Sequence, residues 1–213
     1  MRVLPVKRST PRGSAADLLQ LPRLFNLQPP ALRLDGPRIW LRPPERGDWQ
    51  VWAALRGDSR AFLTPWEPTW PPDALSRGHF RAHLARYSED WRTDQAYNFF
   101  IFKRDETLTG GIGLSNVRRG VAETGSLGYW IGERYARQGY MLEALRLALE
   151  FSFQRLRLHR VEAACLPTNA PSRGLLVKAG FREEGYALKY LCIDGIWQDH
   201  VLFAMLHEEW RKP

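Results

Sequence analysis

The segment "SLGYWIGERYARQGYMLEALRLALEFSFQRLRLHRVEAACL", Ser126 to Leu166, constrains the fold more than any other part of the chain. It opens on an alternating run that reads as a strand. A basic turn containing one glycine follows, then a long amphipathic helix, then a second strand in "HRVEAACL". On the helix Leu142, Leu145, Leu149, Phe153 and Leu156 share one face, while Glu143, Arg146, Glu150, Gln154 and Arg157 share the other. That apolar stripe must be buried, and the strands on either side of it predict a sheet as its partner.

The flanking sequence extends the pattern. "RIWLRP" reads as a strand stopped by Pro43 and Pro44, "ERGDWQVWAALRGD" as a helix, and "TPWEPTWPPD" as a long proline-rich aromatic loop. "ALSRGHFRAHLARYSEDW" predicts a second helix, and "AYNFFIFK", "DETLTG" and "GIGLSNV" a strand, a hairpin turn and its return strand. After Leu166, "NAPSRGLLVKAG" predicts a short helix closed by Gly180, with two strands beyond it in "FREEGYALKYLCI" and "DGIWQDHVLFAML". The expected fold is α/β: a mixed, largely antiparallel sheet of about seven strands flanked by about four helices, spanning 38–213. Residues 1–37 read as a basic extension. Lys7, Arg8, Arg12, Arg23 and Arg33 face only Asp17 and Asp35 there, and prolines at 5, 11, 22, 29 and 30 break any helix.

Composition narrows the functional classes. Hydrophobic residues make up 44% of the chain and include nine Trp, enough for a sizeable core. No run approaches the ~18 apolar residues of a membrane span, so no membrane role is expected. The two cysteines, Cys165 and Cys192, have no metal-ligand spacing and form no disulfide framework, which fits a reducing cytoplasm and no metal. A net charge of +8 draws the chain to polyanions such as a nucleotide, RNA or a ribosome surface.

The turn between strand and helix is the first candidate site. A helix N-terminus leaves up to four backbone N–H groups unpaired, with the positive end of the helix dipole behind them, and so suits a phosphate. Gly139 would let the backbone approach such a ligand, and Arg134 and Arg137 add charge. On these residues alone an ordinary strand-to-helix turn is an equal reading, because neither a P-loop nor a GxGxxG pattern is present.

"YARQGYMLEAL", "LHRVEA" and "PTNAPSRGLLVKAGFREEGY", in that order, resemble successive signature blocks of the GNAT acetyltransferase superfamily. "LTPWEP", "SNVRRG", "LGYWIG" and "YLCIDGIWQDH" resemble its RimJ/RimL branch, N-terminal acetyltransferases of ribosomal proteins, and most of all the RimJ type. The resemblance implies a splayed central strand pair. It implies acetyl-CoA as co-substrate, with its pyrophosphate on the backbone of Gln138, Gly139, Tyr140 and Met141 and with Arg134 and Arg137 nearby. The strand Leu127, Tyr129, Trp130, Ile131 would pair with the pantetheine arm. Asn169 would bond the same arm; a helix N-cap is an equal reading and is compatible with that role. Of the family's phosphate-loop pattern only the central glycine is kept, at Gly139.

Acetyl transfer to an amine needs the amine neutral, and an N-terminus has a pKa of about 8. It also needs a proton or hydrogen bond for the leaving sulfur. Many relatives place a tyrosine acid where this chain has Leu176; the resemblance to RimL-like enzymes implies instead that Ser172 steadies the sulfur. The glutamate base of RimL-like enzymes falls at Leu191 here. Glu67 is therefore the candidate base, acting through a water; loop structure around Trp66 and Trp70 is its alternative. Glu184, Asp199 and His200 are weaker candidates, and His159 reads as structural. The expected acceptor is the N-terminus of a ribosomal protein, with contact to rRNA or the ribosome possible. A small-molecule amine substrate, or a non-catalytic ribosome-assembly or RNA-binding module, are the rival readings.

Overall fold

The computed structural model describes residues 32–210. Most of the expected basic extension lies outside the described residues. Its last residues do not: Leu32 and Leu34 are buried in the core, so the folded unit begins before Arg38.

Eight strands form one sheet: β1 (Leu34–Asp35), β2 (Ile39–Arg42), β3 (Tyr97–Lys103), β4 (Leu108–Arg118), β5 (Thr124–Ile131), β6 (Arg160–Cys165), β7 (Arg182–Ile193) and β8 (Ile196–Leu206). Their spatial order is β1-β2-β3-β4-β5-β6-β8-β7. Every neighbouring pair is antiparallel except β5 and β6, which run parallel around the helix predicted between them. The helices are α1 (Trp49–Asp58), α2 (Arg60–Leu63), α3 (Arg77–Arg92), α4 (Tyr140–Glu150) and α5 (Ala170–Ala179). The strand beyond the expected seven is β1, two residues that "LD" is too short to announce. α3 starts later than its sequence suggests because Ser76 caps it, its hydroxyl accepting from the His79 N–H at 3.1 Å.

Two clusters of buried side chains fill the two faces of the sheet. Leu145, Leu149, Phe151 and Phe153 meet Phe99, Ile101, Val161 and Phe203 on one face. Trp52, Leu55 and Phe80, from α1 and α3, meet Trp40, Phe100 and Phe102 on the other. The amphipathic helix does not run straight to Arg157. After Glu150 it widens into a π-helical turn over Phe151–Arg155, closed by the Leu156 N–H on the Phe151 carbonyl at 3.1 Å. The Ser152 hydroxyl donates to the Ala148 carbonyl at 2.7 Å where the ladder opens. Phe151, Ser152 and Phe153 are all buried, so the start of this turn is enclosed on every side.

Candidate active site

β5 and β6 pair only at their beginnings. Thr124 to Leu127 face Arg160 to Ala163, and the register stops there. On the other side β5 stays paired with β4 out to Ile131 opposite Gly110. Residues 128–131 of β5 therefore turn one backbone edge to a gap in the middle of the sheet. An opened strand pair offers backbone donors and acceptors to a ligand that lies down as an added strand.

The gap leads to the turn before α4. Arg137 has φ 60° and Gly139 φ 84°, with Gln138 between them outside the left-handed region. Alternation of this kind turns successive N–H groups towards one concave side. The first ladder bond of the helix runs from the Glu143 N–H to the Gly139 carbonyl at 3.2 Å, so the amides of Tyr140, Met141 and Leu142 precede the ladder. The Gln138 side chain is spent inside the turn, donating to the Arg134 carbonyl at 2.7 Å.

Alternation along β5 then sends Tyr129 and Trp130 to opposite faces of the sheet. Tyr129 packs against the core on the α4 face and Trp130 against the core on the α1 face. The Trp130 indole lies over Gly111 of β4, where a Cβ would come within 2.5 Å of its Nε1 and force the ring to move. On the α4 face the Tyr129 hydroxyl and the Ser172 hydroxyl are 2.7 Å apart. Ser172 is held in the first turn of α5, its N–H donating to Asn169 Oδ1 at 3.1 Å. Asn169 thus caps the helix, and its side-chain NH₂ is left for another acceptor. Burial pushes the Tyr129 phenol well above the ordinary tyrosine range, only partly offset by the Ser172 bond, so it is a neutral donor at working pH. Burial likewise raises the Cys165 thiol, which sits against the Ser172 hydroxyl. Leu176, which stands where relatives carry a tyrosine acid, is fully buried core.

On the α1 face Arg56 lies between two indoles, 4.4 Å from the Trp70 ring centre and 4.9 Å from that of Trp130. Its guanidinium grips Glu67 with two bonds, at 3.0 and 2.5 Å, and Trp70 Nε1 donates a third at 2.9 Å. The Glu67 carbonyl accepts from the Asp194 N–H at 3.0 Å, which ties the aromatic loop to the β7–β8 turn. Glu67 therefore lies one layer from β5, across the sheet from Ser172. The weaker candidates are engaged elsewhere. Arg160 and Arg182 hold Glu184 below the ordinary carboxylate range. The Lys189 N–H and the Tyr186 hydroxyl do the same for Asp199. His200 is buried with Nδ1 on the Gln198 carbonyl at 3.0 Å, and His159 lies 4.0 Å from Glu208. Among the described residues no group of His, Cys, Asp or Glu is arranged to hold a metal.

Two partners were not legible in sequence. The alternation of "LGYWI" does separate Tyr129 from Trp130, but the Tyr129–Ser172 bond spans 43 positions. Arg56 meets Glu67 only because α1, α2 and the following turn fold the chain back on itself, and nothing in the spacing announces this.

Comparison with known proteins agrees with this geometry. The acetyltransferase (GNAT) domain family matches residues 38–182. The chain is 36% identical over 183 residues to the ribosomal protein uS5-alanine N-acetyltransferase of Escherichia coli, covering 85% of this chain and 94% of that one. It is 34% identical over 177 residues to a probable N-acetyltransferase of Bacillus subtilis, YjcK, covering 83% and 98%. Mycobacterium smegmatis RimJ, solved in complex with CoA-disulfide, superposes with a TM-score of 0.77 at 32% identity over 80% of this chain and 83% of that one. The chain is an N-acetyltransferase that belongs to the GNAT family, on its RimJ/RimL branch.

Proposed function

We propose that the chain transfers the acetyl group of acetyl-CoA directly to the N-terminal amine, an alanine's, of a ribosomal protein in the cytoplasm. The observation that carries this reading is the division of labour across β5. The open backbone edge of residues 128–131 ends at the anion-binding turn, Ser172 stands on one face, and the Arg56–Glu67 pair stands on the other. These groups fit acetyl-CoA, which supplies the acetyl group as a thioester. The concave turn suits its diphosphate, and the free edge of β5 and the Asn169 amide suit its pantetheine arm.

Ser172 has one proton. Because Tyr129 is a neutral phenol, it can donate to Ser172 Oγ and leave the serine proton free for the leaving sulfur. Ser172→Ala is expected to lower kcat on the order of 10²-fold, as for the loss of one donor to developing charge, with little change in acetyl-CoA affinity. Tyr129→Phe should cost less, roughly tenfold, because it frees the serine rotor without removing the donor. Single-turnover kinetics beside calorimetric titration reads both. A Ser172→Ala enzyme with full kcat would remove the hydroxyl from the mechanism.

The acceptor side favours a polypeptide over a polyamine. A polycation pocket needs surplus negative charge, and here the Glu67 carboxylate is already matched by Arg56. The E. coli relative's named substrate supports a ribosomal protein, and the net charge of +8 suits contact with a ribosome surface. The test is to incubate purified enzyme and acetyl-CoA with ribosomal proteins from a strain lacking the gene, and separately with spermidine. One ribosomal protein should gain one acetyl group at its first residue by intact-protein and tandem mass spectrometry. Acetylation of spermidine alone, or no acetylation of any ribosomal protein, overturns the proposal.

A further inference from the structure

Glu143 poses a difficulty for an anion site. It lies in the first turn of α4, where a carboxylate would compete with a bound phosphate for the positive end of the helix. The structure resolves this with a residue at the start of β2, the strand that α4 packs against. The backbone N–H groups of Arg38 and Ile39, at the start of β2, both donate to Glu143 Oε1, at 2.8 and 3.1 Å. Arg38 Nε donates to Oε2 at 3.0 Å. The carboxylate is thereby spent on β2, and its side chain is only 12% exposed.

The same guanidinium reaches further. Its Nη1 donates to the Gln138 carbonyl at 3.1 Å, and its centre lies 5.1 Å from the Tyr140 ring centre. Its Nη2 lies 3.1 Å from where a Cβ on Gly139 would stand, and it has no acceptor among the described residues. The Arg38 side chain remains 52% exposed. One arginine thus neutralises the helix-end carboxylate, ties back a carbonyl of the turn, and keeps one N–H-bearing arm beside the glycine.

We infer that Arg38 is a diphosphate-recognising and positioning residue of the cofactor turn. It holds the Gln138 carbonyl against β2, so that the turn offers donors to the ligand, and its Nη2 accepts the role of a side-chain donor to a phosphate oxygen. This rests on the reading that acetyl-CoA binds at the turn and adds a residue 101 positions from Gly139 to it. Arg134 and Arg137, the arginines nearest in sequence, are then the lesser contributors.

The experiment is calorimetric titration of wild type, Arg38→Ala and Arg38→Lys with CoA and with 3′-dephospho-CoA, which keeps the diphosphate. KM for acetyl-pantetheine, which has no phosphate, is measured in parallel. Arg38→Ala should bind both nucleotides roughly 10- to 100-fold more weakly, as expected for a lost hydrogen bond to a charged group. KM for acetyl-pantetheine should stay within about twofold. Arg38→Lys guards against misfolding: it keeps the charge and should melt with wild type. It should still lose affinity for both nucleotides, because one ammonium cannot serve the carbonyl and an anion with a planar fork. A loss confined to CoA, with 3′-dephospho-CoA unaffected, would place Arg38 on the 3′-phosphate and overturn the inference. An equal loss with acetyl-pantetheine would mean a general collapse of the site and overturn it too. Wild type that binds neither nucleotide would instead sink the reading of the site itself.

Discussion

Replacing Gly139 with tryptophan is expected to abolish acetyl-CoA binding, a loss of more than about 10²-fold, or roughly 2.8 kcal/mol at 1.4 per decade. Three effects act together. Gly139 sits at φ 84°, where a side chain costs about 1–2 kcal/mol. Its Cβ would approach Arg38 Nη2 to 3.1 Å, so the guanidinium must move and release the Gln138 carbonyl. The indole would also occupy the concave side of the turn. The helix should survive, because α4 is anchored by the buried Met141, Ala144, Leu145, Ala148 and Leu149. Circular dichroism should therefore match wild type while calorimetric titration shows no binding. Arg137→Ala is the comparator. It removes an exposed charge and should weaken binding only a few-fold. Unchanged affinity in Gly139→Trp would mean that the diphosphate lies elsewhere.

The fold was legible wherever periodicity is a local property. "LGYWI" alternates because β5 has two differently occupied faces, and the helix after it carries its apolar stripe because the sheet needs covering. Its widening at Phe151 was not legible. Phe151 and Phe153 are both apolar, and a 3.6-residue pattern assigns only one of them to the core; the Ser152–Ala148 bond that accompanies the opening is local but weak evidence in sequence. The candidate site was legible as motifs and illegible as partnerships. Gly139, Asn169 and Ser172 stand where the family pattern places them. What the motifs do not announce is the distant contacts of the candidates: Arg38 beside Gly139, Tyr129 on Ser172, Arg56 on Glu67. Such pairs depend on which elements become neighbours, and topology decides that. The two expected readings of Asn169 remain compatible, since the cap uses Oδ1 and the amide nitrogen is left for the cofactor arm.

Glu67→Gln is expected to leave the fold and acetyl-CoA affinity intact and to cut kcat by roughly 10²–10⁴-fold, the usual range for general acid–base catalysis. Three donors already hold Glu67: two from Arg56 and one from Trp70. A carboxylate offers about four lone-pair positions, so one remains for the water that would take the proton of the acceptor ammonium. The same grip suggests the competing outcome, in which Glu67 matters because it holds Arg56 between Trp70 and Trp130. Arg56→Lys separates the two. It keeps a cation beside Glu67 but loses the bidentate fork and much of the stacking. If Glu67 is the base, Arg56→Lys should disturb kcat far less than Glu67→Gln does, and only Glu67→Gln should recover at high pH, where the amine deprotonates unaided. Equal defects in the two variants, with neither recovering, would make the pair a structural clamp on the cleft. A rise in KM for the peptide alone would make Glu67 a recognition residue, with the base elsewhere.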